Sequence, residues 1–131
     1  MAITLKPARQ QVIHAYVDVN FSDVTSGVAA NAIQLPPNAV VLAGRVTTLT
    51  AFNSATSDKF AIGDAASGTR YVSAAEVHAT GNVALTPTGY SNTVQDYITV
   101  TWTGVSTAPT AGKVRVSVDY VVLGREQFSQ G

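Results

Sequence analysis

The chain has 131 residues, of which 46% are hydrophobic and only 12% charged, with eight Lys or Arg balanced by eight Asp or Glu. That length suits one domain with one core, removing about two-thirds of the extended-chain surface from water. The charge balance excludes a basic stripe able to neutralise nucleic-acid phosphates, and with no cysteine there is no disulfide, thiolate zinc site or thiol nucleophile.

Low charge without net repulsion favours association, so an oligomer or larger assembly is expected. Small and β-branched residues outnumber the Leu, Glu and Lys that fill helices, which favours strands. Met1–Gln10 lacks the apolar centre of a signal peptide, and no apolar run approaches membrane-spanning length. The expectation is a soluble protein without a membrane partner, folded in a reducing cytoplasm.

Residues 1–11 read as an extended arm, with Pro7 restraining Lys6 to extended geometry. One domain is expected over 12–125, followed by a tail over 126–131. From Val12 to Phe21 the odd positions Ile13, Ala15, Val17, Val19 and Phe21 are apolar, opposite His14, Asp18 and Asn20. This alternation predicts a strand with one buried face. Ser22–Asn38 is rich in turn formers and ends in two prolines, so the next strand is placed after it.

Ala39–Phe52 is a long β-branched run with apolar residues in both phases, and Gly44 inside it suggests a bulge or bend. Asn53–Ser57 reads as a hairpin loop leading into a strand with Phe60 and Ile62. A short strand is expected over Gly68–Val72. Ser73–Glu76 has the spacing of a capping box, which predicts a helical turn near Ala74–Ala79.

A short strand with Val83 and Leu85 ends in a turn at Pro87 and Gly89. In Tyr97–Gly104, Ile98, Val100 and Trp102 form an inward face against a solvated row of Thr99, Thr101 and Thr103. The strongest alternation is in Lys113–Val122, where Val114, Val116, Val118, Tyr120 and Val122 share one face. Burying these five side chains contributes roughly 7–12 kcal/mol of gross transfer free energy, an upper bound. The expected core is Val17, Val19, Phe60, Ile62, Ile98, Val100, Trp102, Val116, Val118 and Tyr120. Short strands separated by Gly, Pro and Asn turns predict an all-β fold, an antiparallel β-sandwich of jelly-roll type.

Catalysis finds little support in these residues. A hydrolytic triad needs an imidazole, and only His14 and His78 are present, with no Gly-x-Ser-x-Gly elbow. Asp18, Asp23, Asp58 and Asp64 sit at strand ends, where aspartates cap turns, and no calcium-loop spacing surrounds them. The glycines fit no phosphate loop. No enzyme, cofactor or metal is expected. Trp102 shares a face with Ile98 and Val100 and is assigned to the core.

Three stretches carry a more specific likeness: Leu35-Pro36-Pro37-Asn38-Ala39-Val40-Val41; Ala51–Asp58 leading to Ile62-Gly63-Asp64; and Leu85–Tyr90 with Ile98–Trp102. Together they resemble the head decoration, or cement, proteins of tailed bacteriophages. The resemblance implies a compact β-fold, found as a homotrimer on the outer surface of the virion capsid, that fastens neighbouring major capsid subunits together. It also implies a use for the arm, whose Ile3, Leu5, Lys6, Pro7 and Arg9 become candidate capsid contacts. The alternatives left open are a tail-associated role and a glycan-binding module with Tyr71 and Tyr90 at its rim.

Overall fold

In the computed structural model, residues 10–54, 57–104 and 108–124 are described. The expected arm contacts Ile3, Leu5, Lys6, Pro7 and Arg9, and the tail over 126–131, lie outside them. Eight strands follow in order: β1 (Ile13–Asn20), β2 (Ala29–Leu35), β3 (Ala39–Thr50), β4 (Asp58–Gly63), β5 (Val72–Glu76), β6 (Gly81–Ala84), β7 (Asp96–Gly104) and β8 (Lys113–Val122). One 3-10 turn, Phe21–Asp23, follows β1.

The strands form two four-stranded antiparallel sheets, β1-β8-β3-β6 and β2-β7-β4-β5. β1 pairs with β8, β2 with β7, β3 with β6 and β4 with β5, so the chain is a long hairpin folded over on itself. This nesting is the jelly-roll arrangement, and it confirms the expected all-β sandwich. Between the sheets lie the alternating side chains of β7 and β8, with Ile98, Val100, Val114, Val116 and Val118 almost wholly buried. Phe60 and Ile62 of β4 and Phe52 meet them from the middle of the chain. Phe52 sits edge-on to Phe60, with ring centroids 5.4 Å apart, and close to Trp102, at 5.9 Å.

Several expectations from the sequence are corrected. Ala29–Leu35 is a strand, not a loop; its small residues pattern weakly, yet Ile33 and Leu35 are buried against β7. β3 and β4 lie in different sheets, so the hairpin expected across Asn53–Ser57 is not formed. Ser73–Glu76 is extended in β5, where Ala75 faces Phe60 and Glu76 faces Lys59; pairing with β4 outweighs the local capping signal. The strand expected over Gly68–Val72 begins only at Val72.

In β1, Val19 is buried, but Val17 is half-buried and Ile13 exposed, because β1 is an edge strand and its start projects past the core. The two apolar phases of β3 are both used. A shift in pairing between Val41 and Ala43 turns the inward set from Ala39 and Val41 to Val46 and Thr48. The Thr row of β7 is not uniformly solvated: Thr103 is exposed, whereas Thr99 is buried and its hydroxyl has no hydrogen-bond partner among the described residues.

Candidate functional site

Both ends of β4 carry a buried aspartate, and each has its own set of donors. Asp58 opens the strand and is completely buried. Its carboxylate accepts hydrogen bonds from the Ser54 amide at 3.1 Å and the Trp102 indole at 3.0 Å, and lies 2.7 Å from His78 Nδ1. Burial pushes this carboxyl up, but the hydrogen bonds from His78, Ser54 and Trp102 together outweigh it and hold it below the ordinary value. The cluster ties the segment after β3 to the segment after β5 and to Trp102, near the end of the neighbouring strand β7.

Asp64 follows the other end of β4 and is also buried. It accepts from the Ala66 and Ser67 amides at 3.1 and 2.9 Å, closing a turn, and from the Arg70 guanidinium. That guanidinium lies over the Tyr90 ring, 3.6 Å from its centroid, and Asp64 raises its pKa further. Beside it Tyr71 is buried, and burial first, then the Asp64 charge, pushes its phenol to about 12.

These arrangements decide several candidate roles. His78 and Asp58 form a dyad, and the Ser54 hydroxyl beside them donates to the Ser57 carbonyl at 2.9 Å rather than to the imidazole. Asp23 caps the 3-10 turn by accepting from the Asn20 amide at 2.8 Å. Among the described residues no group of three His, Asp or Glu side chains is placed to hold a metal ion. Of the two rings named for the glycan-binding alternative, Tyr71 is inside the fold and Tyr90 is half-buried with one face covered by Arg70. A shallow groove is lined by Phe21, Val24, Trp102, Gly104 and Pro109, with no titratable group among the described residues that line it.

A row of paired polar side chains reaches solvent on the outer face of the β1-β8-β3-β6 sheet. There the alternation of β1 and β8 projects His14, Tyr16 and Asp18 beside Asp119, Ser117 and Arg115. His14 Nδ1 is 2.6 Å from Asp119, and Arg115 grips Asp18 with two bonds of 2.8 and 3.2 Å. The hydrogen bond from Arg115 is the main reason the Asp18 carboxyl lies below its ordinary value. Lys113 adds a looser contact to Asp18 at 3.8 Å. Tyr16 stands among these charges, 60% exposed, with the Arg115 guanidinium 5.2 Å from its ring centroid. The pairs His14 with Asp119 and Asp18 with Arg115 join positions about a hundred residues apart, and alternation alone does not say which strands are neighbours.

The arm can be followed only from its inner end. The Val122 amide donates to the Gln10 side chain at 2.8 Å, which fastens the start of the described chain to the end of β8. No helix among the described residues is long and apolar enough to cross a membrane.

An eight-stranded jelly-roll sandwich with a row of ion-paired side chains on the outer face of one sheet is the class that this geometry defines. Chains of the same fold occur in phage capsids. One from the capsid asymmetric unit of cyanophage Pam1 superposes with a TM-score of 0.71 at 27% identity, over 92% of this chain and 94% of that one. Others come from the acid-stable capsid of Helicobacter pylori bacteriophage KHP30 (TM-score 0.67, 12% identity, 85% and 87% covered) and the capsid of Ralstonia phage GP4 (TM-score 0.65, 16% identity, 93% and 90% covered). No family model matches the sequence, and no curated protein matches it significantly. The chain is thus related in structure to chains of phage capsids.

Proposed function

We propose that this protein is a structural component of a phage virion, a decoration or cement protein that binds the outer surface of the head and stabilises contacts between major capsid subunits. The observation that carries the reading is the end-to-end likeness to a chain of the Pam1 capsid, which covers nearly all of both molecules. The matched capsid chain is therefore itself a small single sandwich and not a fragment of a large subunit. The three sequence stretches that resemble decoration proteins point the same way.

The physical properties suit the role. A cement protein needs a rigid body, surfaces that face other proteins, and a segment able to lie along a partner. Here the body is held by an aspartate cluster at each end of β4, and Gln10, where the described chain begins, is fastened to the end of β8. In this reading the arm residues Ile3, Leu5, Lys6, Pro7 and Arg9 contact the major capsid protein, and the protein works as a homotrimer whose copies reinforce one another by effective concentration.

The test is to mix purified protein with capsids that lack it. Saturable binding and a raised capsid melting temperature are expected, with both effects weakened when residues 1–9 are deleted. Absence of binding from low to physiological salt would overturn the proposal.

A further inference from the structure

Of the four strands that border the two sheets, β1 is the one left unguarded. β6 has four residues, β5 is short and shifts register against β4, and β2 shifts register between Asn31 and Ile33. β1 instead pairs with β8 residue for residue over all eight positions, and among the described residues it is paired on that side only. It contains no Pro, Lys or Arg and no bulge, and its one carboxylate, Asp18, is already paired with Arg115, so few of the devices that keep a sheet edge from pairing with another chain are present.

Its sequence is also symmetric in chemistry about Tyr16. Ala15 and Val17 flank it, then His14 and Asp18, then Ile13 and Val19. We propose that two copies of the chain pair antiparallel through their β1 edges with Tyr16 on the two-fold axis, joining two four-stranded sheets into one continuous sheet.

In that register each His14 faces Asp18 of the second copy. Within one chain His14 already contacts Asp119 and Asp18 already contacts Arg115. The pairing therefore completes a row, Asp119, His14, Asp18 of the second copy and its Arg115, in which carboxylates alternate with an imidazole and a guanidinium and no two carboxylates are neighbours. The two Tyr16 rings, the most exposed large hydrophobic side chains of the strand, come together between the two rows. On the inner face Ile13 meets Val19 and Ala15 meets Val17, covering the seam where half-buried Val17, Ala30 and Ala32 border the gap between β1 and β2.

Other registers are poorer. Sliding the pair to put Val17 on the axis sets Tyr16 against Asp18 and leaves His14 against Asn20, and a further slide sets Asp18 against Asp18. A slide the other way, with Ala15 on the axis, sets His14 against Tyr16. Each loses the two His to Asp contacts. The inference does not depend on the capsid reading, since it concerns the chain in solution and its test uses no capsid.

Because the natural sequence has no cysteine, Tyr16→Cys reports on the axis directly. Facing residues in an antiparallel ladder lie about 4.5–5.5 Å apart, within disulfide reach. Mild oxidation of Tyr16→Cys is expected to give a covalent pair of chains on a denaturing gel at least tenfold faster than Thr103→Cys, an exposed position on the other sheet. Tyr16→Lys, which replaces an exposed side chain and leaves the circular dichroism unchanged, is expected to weaken edge association measured by sedimentation at least tenfold. Cross-linking of Tyr16→Cys no faster than Thr103→Cys, or association unaffected by Tyr16→Lys, would overturn the proposal.

Discussion

The indole of Trp102, on β7, donates a hydrogen bond of 3.0 Å to the carboxylate of Asp58, at the start of β4, and both groups are buried. Trp102 therefore fills the core beside Phe52 and also satisfies a charge that water cannot reach. Trp102→Phe keeps most of the apolar volume but removes one donor from Asp58, and should lower unfolding free energy by about 1–3 kcal/mol. Trp102→Ala also opens a cavity and should cost about 3–5 kcal/mol. Denaturant titration of the two variants separates the polar contribution from the packing one.

Acid should weaken the same cluster. The folded Asp58 carboxyl lies below its ordinary value, so the unfolded chain binds its proton more readily. The resulting stability is present above about pH 4, the unfolded value, and is lost as pH falls through the folded one. Asp58→Asn should be less stable than the natural protein at pH 7, and the difference should shrink toward pH 3. A gap independent of pH would show that the carboxylate's charge is not what matters.

Thr99 presents the opposite case, a buried hydroxyl without a partner. Thr99→Val keeps the shape and removes the unsatisfied group, so it should raise stability by about 1 kcal/mol. Thermal and denaturant unfolding should agree on the sign.

Two glycines on the same molecule should respond in opposite ways to a methyl group. A Cβ at Gly44 would lie 2.5 Å from the Ser117 carbonyl oxygen and 2.7 Å from the Leu85 side chain, and the backbone oxygen is held in the β3–β8 ladder. Gly44→Ala should cost about 1–3 kcal/mol through overpacking. At Gly68 nothing lies within 4 Å and the backbone is not left-handed, so Gly68→Ala should be neutral or stabilising by up to about 1 kcal/mol.

What was legible in the sequence was whatever a strand declares through its own alternation. β7 and β8, with Ile98, Val100, Val116 and Val118, could be assigned a face because inward and outward neighbours differ strongly in polarity. β2 was missed because Ala29, Ala30 and Ala32 supply almost no contrast, and its burial depends on β7 lying beside it. β5 was misread because the spacing of Ser73 and Glu76 satisfies a local helix signal that pairing with β4 overrides. The hairpin expected across Asn53–Ser57 was misread for a related reason: a short polar stretch can join strands within a sheet or between sheets.

The sandwich class, the lack of a thiol, the scarcity of histidine and the low charge were properties of the sequence alone, because composition and alternation act within a few residues. The tertiary structure alone decided which positions distant in the chain would meet. It set Asp58 against Trp102 and His78, placed Asp119 and Arg115 beside His14 and Asp18, and made β1 an edge strand among the described residues. The nested pairing of first strand with last determines those contacts, and strand order leaves no mark in local periodicity.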